Sequence, residues 1–254
     1  MEKPTTLKDL LPRKGLSPPP EGAQDIKVPL EGGSLPVRLY LSPEVGPTVF
    51  FFHAEGETTE HYDDLGNNLG EFGVSLAVIG YRGQGGGEGE PSFETLFQDA
   101  VEAFDYLRDF LKERGRRSII ALLGRSLGAG VALTVAVERA SEVSALILDS
   151  PIIEGSAWLA YRGLHNGEDP FQIMERIKKW RKALLIFQAQ FDKEISLPET
   201  EKLLIFCPGR NKRLLIMPGY RREETIERGG KLYAETIAEL LNRMVGKFGR
   251  KRMQ

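Results

Sequence analysis

Apolar residues recur along this chain in two rhythms. Short, nearly continuous apolar runs alternate with longer stretches whose apolar positions fall three and four residues apart. The runs "PVRLYL" (36–41), "TVFFFH" (48–53), "VSLAVIGY" (74–81), "SIIALLG" (118–124), "VSALILDS" (143–150), "ALLIFQAQ" (183–190) and "KRLLIMPG" (212–219) predict strands. The first two are too closely spaced for a crossover helix, so their spacing predicts an antiparallel hairpin. Helical spacing predicts helices over 62–72, 93–115, 127–139 and near 198–206, and a long terminal one over 225–248. In the 93–115 helix Phe93, Leu96, Phe97, Ala100, Phe104, Leu107 and Leu111 share a face, with Ser92 as N-cap and Gly115 just past the end.

Continuous apolar strands alternating with helices predict an α/β fold with a mostly parallel sheet covered on both faces. Residues 152–182 break the rhythm and are too long for a plain loop, so they read as a short helical insertion over the carboxyl ends of the strands. "GLSPPPEG" (15–22) is Pro/Gly punctuation that separates a flexible leader, 1–22, from a folded body, 23–254.

Composition narrows the functions. The chain has 254 residues, 41% apolar and 28% charged, with a net charge of −2. No global field favours nucleic acid or an anionic membrane, and no basic stripe is interleaved with aromatics. The basic tail around Lys247, Arg250, Lys251 and Arg252 reads as a solvated end. Cys207 is the only cysteine, which suits a reducing compartment. The N-terminus lacks the apolar core of a secretory signal, and no apolar run is long enough to span a membrane. These features predict a cytoplasmic protein. No Cys/His cluster has zinc spacing, and Asp63–Asp64 reads as a helix start, so neither metal nor cofactor is expected. The Gly-rich "YRGQGGGEGEP" fails G-x-G-x-x-G, because Glu88 takes the third glycine's place.

The chemistry lies in "G-R-S-L-G" (124–128), between a predicted strand and a predicted helix. G-x-S-x-G is the pattern of a nucleophile elbow. Its serine sits on a tight turn where side chains at the glycine positions would collide, and the turn aims Oγ at the free N–H groups of a helix start. An ordinary βα turn with a serine N-cap is the alternative.

Several further segments fall in a familiar order: "FFHAEGE" (51–57), "GYRGQGGGEGEPS" (80–92), "GRSLGAG" (124–130), "LILDSP" (146–151) and "LLIFQAQFDKEI" (184–195). From about 36 to 241 the chain resembles the α/β-hydrolase superfamily, in its branch of small esterase-, lipase- and peptidase-type serine hydrolases. The resemblance implies an α/β-hydrolase fold with a twisted sheet of about eight strands. It implies Ser126 as nucleophile and Asp192 as triad acid. The backbone N–H groups of Leu127 and Glu55 would form the oxyanion hole. A carboxylate side chain at Glu55 would oppose charge build-up there if it pointed inward.

The family's histidine follows the eighth strand, where this chain reads "IMPGYRREETIERGG" (216–230) and places Arg222 at that position. A guanidinium stays protonated and offers no acceptor. Loss of the base in a serine protease costs on the order of 10⁶ in kcat, although ~10³–10⁴ over water survives from the oxyanion hole and binding. His53 in the oxyanion loop and His61 at a helix start read as structural. His165, in the insertion, is the candidate alternative base, and Lys193 reads as solvated. Arg222 and Asp192 could instead form an ion pair in place of a His–Asp bond. Two functions follow. One is a protein of low or no activity that binds a small ester, amide or anionic ligand, or a partner. The other is an active serine hydrolase with an unconventional base.

Overall fold

The computed structural model describes residues 6–11, 15–164 and 168–252, with side chains described up to residue 246. Eight strands form one sheet in the order β1-β2-β4-β3-β5-β6-β7-β8. They are β1 (Ala23–Leu30), β2 (Gly33–Tyr40), β3 (Thr48–Phe52), β4 (Ser75–Ile79), β5 (Ile120–Arg125), β6 (Val143–Asp149), β7 (Ala183–Ala189) and β8 (Lys212–Met217). From β3 onward every pairing is parallel.

The expected hairpin between 36–41 and 48–53 is not formed. β2 pairs with β4, antiparallel, and β3 lies on the far side of β4. The hairpin is β1–β2, closed by Glu31 and Gly32, with Gly32 at φ 70°. β1 is absent from the sequence reading because it is an edge strand. Its half-exposed pattern and internal Pro29 weaken the apolar signal.

The helices are α1 (Leu7–Leu10), α2 (Asp63–Glu71), α3 (Phe93–Glu113), α4 (Leu127–Glu138), α5 (Gly155–Tyr161), α6 (Ile173–Ile177), α7 (Leu197–Phe206) and α8 (Gly230–Arg252). The predicted terminal helix starts five residues late, because Gly229 and Gly230 interrupt the chain and Gly230 adopts φ 47°. Ser92 caps α3 by accepting from Thr95 N at 3.1 Å, and Gly115 leaves it at φ 73°.

Alternate strand residues feed two cores. Phe50 and Phe52 join α3, α4, α6 and α7 on one face. Val49 and Phe51 join α2 and α8 on the other. Each fully buried Phe contributes about 1.5–3 kcal/mol, so the centre of the sheet is a rigid platform for the loops at its carboxyl edge. Within the expected leader, Leu7, Leu10 and Leu11 are buried in the first core. Leu10 O accepts from Gly56 N at 2.8 Å, so this segment braces the loop after β3. In the insertion, α6 packs on α4, while Arg162, just past α5, reaches Glu55 in the loop after β3.

Candidate active site

β5 delivers the chain into a sharp turn at Ser126, and α4 starts at the next residue. Ser126 has φ 53° and ψ −117°, a conformation that costs a non-glycine residue on the order of 1–3 kcal/mol. Ser126 N donates to Asp149 O, and Ala129 N donates to Ser126 O, both at 3.0 Å, which closes the turn. The flanking glycines are steric necessities. A Cβ on Gly124 would lie 2.3 Å from Gly128 O, and one on Gly128 would lie 2.0 Å from Phe52 O. Neither backbone atom can swing aside as a side chain would.

Two charged side chains hold Oγ. Ser126 Oγ donates to Glu55 Oε2 at 2.6 Å and accepts from Arg222 Nη2 at 2.5 Å. The same Glu55 oxygen accepts from Leu127 N at 3.3 Å. The carboxylate of Glu55 therefore sits on the Leu127 N–H that the resemblance assigns to the oxyanion hole. The resemblance gives the Glu55 backbone a role in stabilising that charge. The side chain, turned inward, opposes it. A second negative charge 4 Å from Glu55 would cost about 4 kcal/mol at an effective dielectric constant of 20.

Arg222 lies in a 3₁₀ turn, Arg222–Glu224, after β8. Its Nη1 is 3.8 Å from Asp192 Oδ1 and 3.6 Å from Glu194 Oε2, and that nitrogen is buried with no hydrogen-bond partner. The Asp192 side chain is 1% exposed. Its Oδ1 accepts from Glu194 N at 2.9 Å and Ile195 N at 3.0 Å, and Gln188 Nε2 donates to Oδ2 at 3.4 Å. The structure thus brings Ser126, Leu127, Glu55, Arg222 and Asp192 together. His165 lies outside the described residues. His53 is fully buried, and that burial holds its pKa below the usual histidine range against the opposing hydrogen bond from Nδ1 to Ala54 O at 2.8 Å. Thr58 N donates to His61 Nδ1 at 3.0 Å. Neither ring is among the hydrogen-bond partners of Ser126 Oγ.

Two residues absent from the sequence reading complete the site. Arg162, just past α5, donates to Glu194 at 2.9 and 3.0 Å and lies 3.5 Å from Glu55 Oε1. Its guanidinium stacks 3.9 Å over Trp158, whose Nε1 donates to Glu194 at 3.1 Å. Glu55, Arg162, Glu194 and Arg222 therefore alternate in sign around a ring that closes on Ser126. Ser126 is 2% exposed beneath it. Beside the ring runs a groove of about 580 Å³ with Trp158, Ala157 and Ile195 in its wall and Arg162 and Glu194 on its border.

Arg125, the variable residue of the elbow motif, is also buried. It pairs with Glu57 at 2.9 Å and Asp149 at 3.8 Å, and its Nη2 donates to Arg222 O at 2.8 Å. Tyr62 also donates to Glu57. Burial raises the pKa of Asp149, against the pull of Arg125 and hydrogen bonds from Thr225, Ser150 and Tyr233. Arg125 thus carries the elbow's position to the turn that presents Arg222. The sequence offered one signal for it, a cation inside an apolar strand.

Among the described residues, no group of three or more His, Cys, Asp or Glu side chains could hold a metal ion, and no helix is long and apolar enough to cross a membrane.

Comparison with known proteins places this geometry in context. Residues 43–166 match the family model described as serine aminopeptidase, S33. An uncharacterised protein of Mycobacterium tuberculosis is 29% identical over 203 residues, 77% of this chain and 70% of that protein. The bem46 protein of Schizosaccharomyces pombe is 25% identical over 210 residues, 79% of this chain and 69% of that protein. Among solved structures, an esterase of Pyrococcus furiosus superposes with a TM-score of 0.74 at 18% identity, covering 92% of this chain and 97% of that one. A monoglyceride lipase of Saccharomyces cerevisiae gives 0.73 at 17% identity, covering 88% and 95%. The chain has the α/β-hydrolase fold.

Proposed function

We propose that this α/β-hydrolase-fold protein binds a small ester, amide or anionic molecule at Ser126 and turns it over slowly or not at all. The observation that carries this reading is the double clamp on Ser126 Oγ. Arg222 donates to it from the position where a base is needed, and Glu55 holds it from the position where an oxyanion is needed. Arg222 would favour a serine alkoxide by charge, but it cannot take the proton. The neighbouring acceptor is a carboxylate, and carboxylates are about two pKa units less basic than imidazole. Missing the base alone costs on the order of 10⁶ in kcat. The similarity to an esterase and a monoglyceride lipase supports an acyl-type ligand.

Hydrolysis of p-nitrophenyl acetate by wild type and Ser126→Ala tests the reading. Equal, background-level rates are expected, with no Ser126-dependent labelling by a fluorophosphonate probe. Turnover that vanishes in Ser126→Ala and approaches 1 s⁻¹, about the low end of typical enzymes, would overturn it. The paired change Arg222→His with Glu55→Gly should raise Ser126-dependent hydrolysis, since it supplies a base and vacates the oxyanion position together.

A further inference from the structure

The Glu55 carboxylate is itself informative about what the site accepts. It is a planar monoanion seated on Ser126 Oγ and on Leu127 N, the first free N–H of the twelve-residue helix α4. A guanidinium touches the same hydroxyl. These are the donors that would receive a carboxylate from outside the protein. Arg222 also has a buried Nη1 with no hydrogen-bond partner, 3.6 Å from Glu194 and 3.8 Å from Asp192.

Resting on the reading of Ser126 as a binding site, we propose that Glu55 is an internal stand-in for a small monocarboxylate. The ligand would displace it, and the wild-type pocket is latched by this contact. The displaced side chain has a partner in reach, because Arg162 Nη2 lies 3.5 Å from Glu55 Oε1. Opening releases Glu55 from the Ser126 hydroxyl and Leu127 N while it keeps Arg162 as its counter-charge. The ring also sets the ligand's charge. Asp192 and Glu194 already face Arg222, which favours one added negative charge over two. The groove bordered by Arg162 and Glu194 mixes Ala157 and Tyr161 with the charged Glu154, Lys193 and Glu199, which suits a short tail rather than a long apolar one.

A latch lowers apparent affinity by the fraction of molecules that are open. Removing it should therefore tighten binding without any new contact. Isothermal titration with butyrate, butyramide and inorganic phosphate would be run on wild type, Glu55→Ala, Glu55→Gln and the double variant Glu55→Ala/Arg222→Met. Near-UV circular dichroism would establish that each variant is folded, and the isosteric Glu55→Gln serves if Glu55→Ala is not. Butyrate should bind Glu55→Ala at least about tenfold more tightly than wild type, with Glu55→Gln also tighter than wild type. Adding Arg222→Met should return the affinity to wild-type level or below, and butyramide should bind weakly throughout.

The proposal falls if butyrate binds Glu55→Ala no more tightly than wild type, if butyramide matches butyrate, or if phosphate outcompetes butyrate. It also falls if wild type shows Ser126-dependent ester hydrolysis that Glu55→Ala abolishes, which would make Glu55 a base. Ser126-dependent hydrolysis that survives in Glu55→Ala would overturn only the low-activity reading and leave the titration series standing.

Discussion

Ser126 stands between two regions built on different principles. On one side, the elbow is held by close packing of backbone on backbone. Gly124, Gly128 and the carbonyl of Phe52 leave no room for a single extra carbon. On the other side, the loops after β3, β7 and β8 and the end of α5 meet through charged side chains. Their contacts run from 2.5 Å for Arg222 on Ser126 to 3.8 Å for Arg222 on Asp192. The packed side admits one solution. The charged side admits many, since a charge can be reversed or rerouted without moving the backbone. The elbow is therefore fixed by sterics, whereas the charged surroundings of Ser126 are set by side-chain identity.

Arg125 joins the two regions, and changing it should have the largest effect. In Arg125→Met the buried Asp149 and the half-buried Glu57 lose their counter-charge, and breaking a buried pair this way costs about 3–5 kcal/mol. Urea denaturation should show that loss; a change below about 1 kcal/mol would mean that the elbow and the Arg222 turn are independent. Gly128→Ala forces a Cβ against Phe52 O and should cost at the upper end of, or beyond, the about 1–3 kcal/mol of an overpacked core. A neutral outcome would remove the rigidity attributed to the packed side.

A smaller effect is expected from pH. His53 is fully buried with its pKa lowered by that burial, and its ring packs edge-on against Tyr81 at 4.8 Å. The unfolded chain then binds more protons than the folded one below the ordinary histidine pKa of about 6.5, so stability falls as pH falls through that range. The contribution is at most about 1.4 kcal/mol per pH unit. Melting temperatures of wild type and His53→Asn between about pH 7 and 5 should show a steeper acid loss in wild type, and parallel curves would exclude His53 as the cause.

The smallest effect should come from Glu194→Gln. Its side chain is 36% exposed, and exposed pairs contribute roughly 0–1 kcal/mol. The melting temperature should barely move. A loss as large as that of Gly128→Ala would show that the charged ring supports the fold as much as the packed side does.

The sites that could be read from the chain follow the same division. The strand-turn-helix around Ser126 was legible, because only glycine satisfies the steric limits at 124 and 128, and the limit is local. That Arg222 lies near Ser126 was expected by counting from Pro218 and Gly219, and the two are in contact. The inward turn of Glu55 was not legible, because a rotamer depends on the Arg222 and Arg162 groups brought near it from distant segments. Arg162 and Glu194 carried no local pattern at all. The β1–β2 hairpin was missed for a related reason: an edge strand buries only part of itself, and its apolar signal is diluted.

By itself, then, the sequence determined the α/β layering and the strand-turn-helix at Ser126, since periodicity and glycine sterics are properties of neighbours along the chain. Only the tertiary structure decided that Ser126 is clamped between a carboxylate and a guanidinium. Hydrogen bonds and ion pairs of that kind join residues 71 and 96 positions apart, and their partners are set by how the sheet edges bring those loops together.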